Sequence, residues 1–271
     1  MVIRKALKKL RPVCDRIAVG LGYEQSDLKI RSDANRFWDD SSARHFGVNS
    51  HWRGHGIFKN DDARWLSIGE RHLAKFELMS LLAFVPPPQP TRILEWGCGG
   101  GANAVAFGKT ASQFVGVDIS QKSVDECLHQ MRLSGLHNGV GILADIHRPE
   151  VVAASLEPVD VVVCTYVFEL LPTRKYALRL VQLFLDLLKP GGLAFVQLRY
   201  ATTSRSTQGR KWGYRFGFEK MVTFFLDEFW EAASQTGFRP VCIELMPVDD
   251  TVLDQRYAYF LLEKPVPPTA R

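Results

Sequence analysis

The stretch RILEWGCGGG, residues 92–101, joins a strand-like apolar run to a cluster of glycines and is followed by a helix-forming segment. Glycines let the backbone turn sharply and let a ligand lie against it without Cβ atoms in the way. Asp118 ends the next strand-like run, 21 residues after Gly97, where an acid can bind the two ribose hydroxyls of a nucleoside. The stretch and this acid together predict a nucleoside-binding βα loop.

The spacing of the glycines distinguishes two kinds of nucleoside site. A dinucleotide site uses G-x-G-x-x-G and directs a helix N-terminus at a pyrophosphate. Here the spacing is G-x-G-x-G, and the acid Glu95 precedes it. Because a carboxylate repels phosphate and attracts an ammonium or sulfonium group, the loop favours S-adenosylmethionine over NAD.

On either side of the loop, strand-like and helix-like segments alternate. Strand-like runs lie at 92–96, 114–118, 140–145, 159–165 and 193–200, with helix-like segments at 121–134 and 173–188. This alternation predicts βαβ units and a parallel sheet. After a helix at 226–236, runs at 241–246 and 256–263 predict an antiparallel edge hairpin. The predicted fold class is therefore α/β, with a doubly wound, mostly parallel seven-stranded sheet.

The proline-rich run PPPQP at 86–90 is the best candidate for a domain boundary. Residues 1–85 are predicted to form a mainly helical N-terminal extension that caps the acceptor site, and residues 86–271 the cofactor-binding domain. Ser67 and Glu70 form an S-x-x-E pair that predicts the start of a helix running to about Phe84. Residues 32–66 show neither a period of 2 nor one of 3.6, so we expect an ordered loop region there.

The composition is that of a soluble globular protein, with 46% hydrophobic and 23% charged residues among 271. Five scattered cysteines without a C-x-x-C spacing argue against a disulfide framework or a structural zinc site. No apolar run approaches the roughly 18 residues needed to span a bilayer, and the N-terminal stretch is charged where a signal peptide would be apolar. We expect a cytoplasmic protein with no membrane association.

The formal net charge of +5 is concentrated near the N-terminus, because residues 1–31 hold eight basic and three acidic side chains. Apolar residues of this segment fall on one helical stripe, and Pro12 predicts two short helices rather than one. These helices could pack on their own domain or on a second subunit, which would allow a homodimer. Contact with nucleic acid or acidic lipid is the less favoured alternative.

From about residue 90 to 265, the sequence resembles the class I (Rossmann-like) S-adenosylmethionine-dependent methyltransferases. The resemblance is carried by LEWGCGGG, VGVDIS, ILADI, VDVVVCTYVFELLP and LLKPGGLAFVQ. It implies S-adenosylmethionine as cofactor and S-adenosylhomocysteine as product, with the methionine end on the glycine loop and the ribose on Asp118. The implied cofactor-binding residues are Glu95, Gly97, Cys98, Gly99, Gly101, Asn103, Asp118, Ile119, Asp145, Ile146 and Cys164.

The methyl acceptor has to be inferred from segments outside the common core. The fourth strand ends in Cys-Thr-Tyr-Val (164–167), without the Asn/Asp-Pro-Pro-Tyr of amino-methylating relatives or the acidic metal ligands of catechol-type relatives. The insertion at 199–222 interleaves basic and aromatic side chains, and in the family it commonly lies over the acceptor. Such a lid predicts an anionic or planar acceptor. The substrate-binding candidates are Trp52, Arg53, Tyr166, Arg199, Arg210, Lys211, Trp212, Tyr214 and Arg215.

Three histidines, His45, His51 and His55, lie within eleven residues in the segment before the sheet. Methyl transfer to a hydroxyl needs alignment and removal of a proton, and histidine has a suitable pKa for that task. We favour His51 as the base, with Glu169, just past the fourth strand, as its rival. A metal site is not expected here, because no second group of ligands has a clear spacing.

The leading hypothesis is an enzyme that methylates a hydroxyl or carboxylate of a small, anionic or aromatic metabolite, in specialised metabolism. The alternative is an RNA or protein methyltransferase that uses the basic N-terminus to hold a macromolecule. A third hypothesis is a non-catalytic methyltransferase-like subunit. The intact glycine loop and its two acids argue against that third hypothesis.

Overall fold

The fold is built on a single seven-stranded sheet. The computed structural model describes residues 17, 21, 25–40, 42, 46–87, 89, 91–211, 213–214, 221–246 and 256–267. In chain order the strands are β1 (Thr91–Trp96), β2 (Ala111–Asp118), β3 (Gly139–Leu143), β4 (Val159–Cys164), β5 (Leu188–Arg199), β6 (Arg239–Leu245) and β7 (Tyr257–Glu263).

The strands lie in the order β3-β2-β1-β4-β5-β7-β6. Every neighbouring pair from β3 to β5 is parallel, and β7 runs antiparallel to both β5 and β6. All six residues of the central strand β4 are buried, as expected of a parallel strand covered on both faces. The predicted fold class and its antiparallel edge hairpin are confirmed.

Helices cover both faces of this sheet and its carboxyl edge. They are α1 (Asp27–Asp39), α2 (Phe46–Asn49), α3 (Asp62–Leu82), α4 (Ala102–Phe107), α5 (Gln121–Leu133), α6 (Val151–Ala154), α7 (Arg174–Leu187) and α8 (Leu226–Thr236). Three short 3-10 turns lie at Gly56–Phe58, Phe168–Leu170 and Arg205–Thr207.

Two apolar layers lie on opposite faces of the sheet, because successive residues of a strand point to opposite sides. On one side, Leu94 and Val162 belong to a cluster that includes the buried faces of α7 and α8. On the other side, Ile93 and Val161 belong to a cluster formed with α3, α4 and α5. The alternation fixes which strand residues face which helices.

Helix α3 shares the core of the sheet, although the PPPQP run separates the two along the chain. Its Phe76 belongs to the same apolar cluster as Phe107 and Phe114. Gly69 lets α3 approach α4 closely, since a Cβ there would lie 2.0 Å from the carbonyl oxygen of Ala102. Packing is thus continuous across the proline run, and the domain boundary at residue 86 stays a prediction.

Two expectations for the segment before the sheet are wrong. Residues 32–66, expected to form a loop, contain most of α1 and all of α2. Helix α3 begins at Asp62 rather than at Ser67, because the carboxylate of Asp61 accepts a hydrogen bond of 3.0 Å from the Arg64 amide and caps the helix. Ser67 lies inside the helix, where its hydroxyl donates to the Arg64 carbonyl.

Some sequence-based expectations concern residues outside the described ranges. The two N-terminal helices fall there, as do His45, Trp212 and Arg215. Among the helices that the structure describes, none is long and apolar enough to cross a membrane.

Candidate functional site

A cavity opens at the carboxyl ends of β1, β2 and β4, where the strand order reverses between β1 and β4. This reversal is where open α/β sheets bind ligands. The cavity encloses about 960 Å³, its open mouth included. Most of the residues implied to bind the cofactor line it, namely Glu95, Gly97, Cys98, Gly99, Gly101, Asn103, Asp118, Ile119 and Ile146.

The glycine loop between β1 and α4 forms one wall of the cavity. Gly97, Gly99 and Gly101 have φ angles of 80°, 47° and 86°, in the left-handed region that favours glycine. A Cβ on Gly97 would lie 2.3 Å from the side chain of Val167. The loop therefore needs glycine both for its backbone path and for its clearance from the opposite wall.

Residues 46–58, which we call the roof segment, pack on the outside of the glycine loop. The amide of Gly100 donates a hydrogen bond of 2.8 Å to the carbonyl of Ser50. A Cβ on Gly100 would lie 2.6 Å from the carbonyl oxygen of His51. The missing side chain at Gly100 thus lets a segment from before the sheet come into backbone contact with the cofactor loop.

Glu95, the last residue but one of β1, is buried at the base of the cavity. Its Oε1 accepts a hydrogen bond of 2.6 Å from the Asn103 side-chain amide, while its Oε2 is buried with no hydrogen-bond partner. Burial raises the pKa of the Glu95 carboxyl to about 8, and the nearby Asp118 adds to the rise. The cavity therefore contains a buried carboxylate oxygen positioned to accept a hydrogen bond from a ligand cation.

Asp118, at the end of β2, also lines the cavity. Its Oδ2 accepts from the Gly99 amide at 3.1 Å, and its Oδ1 accepts from the Ser120 amide at 2.9 Å. Removal from bulk water raises the pKa of the Asp118 carboxyl to about 6, although these two hydrogen bonds favour its ionised form. The carboxylate thus holds the glycine loop through its hydrogen bond to Gly99, and it can also accept hydrogen bonds from a ligand.

Asp145 and Cys164 do not line this cavity. The exposed Asp145 carboxylate accepts from the His147 amide at 2.8 Å and pairs with Arg148, and the His147 hydrogen bond is the main factor that lowers its pKa. The Cys164 thiol is fully buried in β4, which raises its pKa, while the neighbouring Thr165 does face the cavity. A role of Asp145 in adenine binding stays a prediction.

His51 and Tyr166 form a wall of the cavity beside the glycine loop. Both line the cavity, and their ring centroids lie 5.1 Å apart in an edge-to-face arrangement. The Trp65 indole donates to the His51 carbonyl at 2.7 Å. The Tyr166 amide donates to the side-chain oxygen of the buried Gln197 at 2.7 Å. Buried partners thus fix the backbone of each wall residue.

Trp38 and Tyr214 close the far end of the cavity, and both line it. The Trp38 indole donates a hydrogen bond of 2.8 Å to the Tyr214 hydroxyl, which in turn donates to the carbonyl of Leu170. Tyr214 comes from the predicted lid at 199–222, so that segment does reach the cavity. Trp38 comes from α1, which the sequence analysis had treated as part of a loop.

Several predicted acceptor-site residues lie away from the cavity. His55 is exposed, and its ring packs edge-on against Trp52, which does not line the cavity either. Arg53 pairs with Asp62, and this contact is the main factor that raises its pKa. Their predicted roles in catalysis and substrate binding find no support in their positions.

Glu169 and Arg199 are both buried next to the cavity without lining it. The Tyr257 hydroxyl donates to Glu169 Oε1 at 2.9 Å. The Glu169 backbone carbonyl accepts hydrogen bonds from the amides of Met221 and Val222. This cluster therefore anchors the end of the lid insertion, while a catalytic role for Glu169 stays a prediction.

A second cavity, of about 830 Å³ with its open mouth included, lies on the lid side of the molecule. It contains Arg210 and Lys211, two of the residues predicted to bind the acceptor, and that role stays a prediction. It also contains Arg174 and Lys175, from the first turn of α7, and Glu228, the single acid among the described residues that line it. Pro172 lines both cavities, so the two meet there.

His72 is a residue that the sequence analysis missed. It is buried in α3, and its Nδ1 lies 2.7 Å from the Asn103 side-chain oxygen. A signal was present, because His72 is four residues before Phe76 and thus lies on the predicted apolar face of the helix. A histidine at such a position needs a polar partner inside the protein.

Comparison with known protein families gives one match that covers most of the chain. Residues 70–243 match a family model described as a methyltransferase domain. The match begins inside α3 and ends within β6, and so includes the glycine loop, Asp118 and the wall residue Tyr166.

Two curated relatives are similar over a shorter stretch. A ubiquinone biosynthesis O-methyltransferase of Shewanella halifaxensis is 31% identical over 105 residues, and one of Bordetella avium is 31% identical over 108 residues. These matches cover 38% and 40% of this chain, and 42% of the length of each relative. The matched part of the chain thus spans less than half of either relative.

Among solved structures, magnesium protoporphyrin IX methyltransferase of Synechocystis with bound S-adenosylmethionine is similar with a TM-score of 0.58. The identity is 13%, and the similarity covers 89% of this chain and 98% of that one. At this identity the likeness establishes the fold alone.

Proposed function

The chain belongs to the class I S-adenosylmethionine-dependent methyltransferases, and from that premise we propose that it transfers a methyl group to an oxygen of a small, anionic or aromatic metabolite. S-adenosylmethionine is the cofactor of this family. The observation that carries the proposal for this cavity is the buried Oε2 of Glu95, which has no hydrogen-bond partner in a site walled by glycines.

The residues present fit the cofactor. A buried acceptor without a partner is costly, and a ligand ammonium group would satisfy Glu95 Oε2. Gly97 and Gly99 line the cavity without side chains, and Asp118 offers hydrogen-bond acceptor capacity suited to ribose hydroxyls. We assign Glu95 to the methionine end, Asp118 to the ribose, and the apolar pair Ile119 and Ile146 to the adenine.

The chemistry is a displacement at a sulfonium centre. When bound, S-adenosylmethionine supplies a methyl group that an acceptor oxygen attacks from the side opposite the sulfur. The protein's task is alignment and exclusion of water. His51 and Tyr166 wall the cavity beside the glycine loop, so their rings define where an acceptor oxygen can approach.

An acceptor hydroxyl must also lose a proton. His51 is the histidine of the 45–55 cluster that lines the cavity among the described residues, and it is the base that we propose. Glu169 is the weaker candidate, because it does not line the cavity and already accepts a hydrogen bond from Tyr257. A carboxylate acceptor would already be ionised, so it would need no base and would only have to be positioned by the walls of the cavity.

Two features support an anionic or aromatic acceptor. The far end of the first cavity is aromatic, with Trp38, Tyr176 and Tyr214 in its lining. Among its described lining residues, the adjoining second cavity holds four basic side chains, Arg174, Lys175, Arg210 and Lys211, and one acid, Glu228. An acceptor with a ring in the first cavity and an acidic group in the second would match both environments.

The experiment that tests this function has two stages. Calorimetric titration with S-adenosylmethionine and S-adenosylhomocysteine measures cofactor binding by the parent protein and by Asp118→Ala. Mass spectrometry of reactions with phenols, aromatic carboxylic acids and matched aromatic amines then identifies the methylated atom. Turnover of amines but of no oxygen acceptor would overturn O-methylation, and absence of binding would overturn the site.

A further inference from the structure

A chain of buried hydrogen bonds runs from α3 to the base of the cavity. The Asn103 side-chain amide donates to Glu95 Oε1 at 2.6 Å and to the Thr165 hydroxyl at 2.9 Å. Its carbonyl oxygen lies 2.7 Å from His72 Nδ1. All four residues are at most 6% exposed, so water does not substitute for these contacts.

The orientation of the Asn103 amide is set by its neighbours. The Asn103 NH2 group faces Glu95 and its carbonyl oxygen faces His72. This is the orientation that the ionised form of Glu95 requires, because an ionised carboxylate only accepts hydrogen bonds. His72 must then carry its proton on Nδ1 to donate to that oxygen. If His72 lacked this proton, the amide could turn over and present its oxygen to Glu95, which would favour the protonated acid.

We propose that His72 is a positioning residue of the cofactor site, which holds the Asn103 amide in the orientation that keeps Glu95 ready to bind the cofactor ammonium group. This inference rests on the proposed role of Glu95. It assigns a function to helix α3, which precedes the glycine loop in the chain. The His72 side chain of this helix does not itself line the cavity.

The pKa of the Glu95 carboxyl also depends on neighbours other than Asn103. Burial is the main factor that raises its pKa to about 8, the Asn103 hydrogen bond opposes the rise, and Asp118 adds to it. The titratable groups around Glu95 are Asp118 on β2, Cys98 on the glycine loop, Cys164 on β4 and, through Asn103, His72 on α3. Loss of the Asn103 hydrogen bond would raise the pKa of Glu95 further.

The proposal is tested with two amide substitutions of His72. The side-chain nitrogen of His72→Asn can occupy the place of Nδ1 and still donate to Asn103, whereas the nitrogen of His72→Gln matches the place of Nε2. We expect His72→Gln to weaken S-adenosylhomocysteine binding about 3- to 10-fold, as for loss of one hydrogen bond, and His72→Asn to stay near the parent. Calorimetry gives both dissociation constants.

A second readout separates positioning from mere packing. Because the cofactor ammonium group binds ionised Glu95, binding near pH 8 releases a proton from the protonated fraction, and calorimetry in buffers of different ionisation heat counts it. His72→Gln should release more protons per ligand than the parent. The matched packing control is Phe76→Leu, one turn along the same helix, which should lower the melting temperature without changing proton release.

The outcomes are distinct. Equal affinity and equal proton release in His72→Gln and the parent, or equal losses in His72→Asn and His72→Gln, would overturn the role of His72. If Glu95→Gln itself bound S-adenosylhomocysteine as tightly as the parent, the proposed cofactor role of Glu95 would fail instead. Should His72→Gln not fold, His72→Leu, which also removes the donor to the Asn103 oxygen, tests the same link and should give the same weakened binding.

Discussion

The rings of His51 and Tyr166 pack edge to face in the lining of the cavity, and both residues adopt left-handed backbone angles, with φ of 53° and 57°. Such angles cost a non-glycine residue about 1–3 kcal/mol and cluster at functional sites. The His51 carbonyl accepts a hydrogen bond from the side chain of the buried Trp65, and the Tyr166 amide donates one to the side chain of the buried Gln197. These bonds hold the backbone of both residues in place. The protein therefore maintains strain at these two residues of the cavity wall, which are the two that we propose to flank the acceptor.

The first prediction concerns His51 as the base. With a hydroxyl acceptor, His51→Gln should lower kcat by roughly 10²- to 10⁴-fold and remove the acidic limb of the pH–rate profile. His55→Gln is the matched control, because His55 is exposed and lies outside the cavity. If Glu169→Gln rather than His51→Gln abolished the limb, the base would be Glu169.

The second prediction concerns Asp118 and the cofactor. Asp118→Ala removes a charged hydrogen-bond acceptor for the two ribose hydroxyls of the cofactor. Cofactor affinity should therefore fall by about 1.5–3 kcal/mol, or roughly 10- to 150-fold. Asp118→Asn, which keeps an oxygen for the Gly99 or Ser120 amide, should lose less. Calorimetric dissociation constants that do not change in either variant would contradict the ribose assignment.

The third prediction concerns stability and pH. The pKa of Glu95 is about 8 in the folded protein and about 4.3 in an unfolded chain, so the folded state holds the proton more tightly. Its contribution to stability is full below about pH 4 and is lost as pH rises through 8. Glu95→Gln, which cannot ionise, should match the parent near pH 4.5 and exceed it by about 5 kcal/mol at pH 9, since each unit of difference in pKa corresponds to about 1.4 kcal/mol.

Denaturant unfolding of both proteins across this pH range measures the difference. The same variant should bind S-adenosylmethionine poorly at every pH, since the ligand cation loses its counter-charge. A constant stability difference between pH 4.5 and 9 would contradict the assigned titration of Glu95.

The fourth prediction concerns the second cavity. Replacing Lys175, Arg210 and Lys211 with Gln should raise the KM for an acidic acceptor several-fold or more, since a hydrogen bond to a charged group contributes about 1.5–3 kcal/mol. Cofactor affinity should not change, because none of the three lines the first cavity. Lys109, Lys122 and Arg132 provide an exposed control set of equal charge. Equal KM values for the two triple variants would remove this cavity from the acceptor site.

The fifth prediction concerns the roof segment. In Gly100→Ala, the new Cβ would lie 2.6 Å from the His51 carbonyl oxygen and 2.8 Å from Trp52 Cα, so the segment must move. We expect a loss of about 1–3 kcal/mol in stability and weaker cofactor binding. A melting temperature and a dissociation constant equal to those of the parent would show that the roof segment does not need this contact.

The sequence predicts those parts of the fold and the site that depend on residues close together in the chain. Glu95, Gly97 and Asp118 lie at the ends of consecutive strands, and parallel strands bring their carboxyl ends to one edge. Their meeting in one cavity follows from the alternation of strands and helices alone. The same reasoning located the edge hairpin, because its two apolar runs follow one another in the chain.

The parts of the candidate site that the sequence does not predict depend on contacts between residues far apart in the chain. The roles of His72 and Asn103 arise only when α3 packs beside α4, and the second cavity forms only when the start of α7 meets the lid. The start of α3 was misplaced for a local reason, since both Asp61 and Ser67 can cap a helix and the earlier residue does so. Helix α1 was missed because few large apolar residues mark its buried face, in which Ile30 is followed by Ala34.

The hydrogen bond from Trp38 to Tyr214 joins positions 176 residues apart in the chain. Closing so long a loop is entropically costly and slows the formation of the contact that depends on it. On the ribosome, α1 emerges long before its partner, and during refolding the sheet can assemble from neighbouring strands before this bond exists. We expect the aromatic end of the cavity to be the last part of the molecule to take shape, so that regain of acceptor binding lags behind regain of secondary structure.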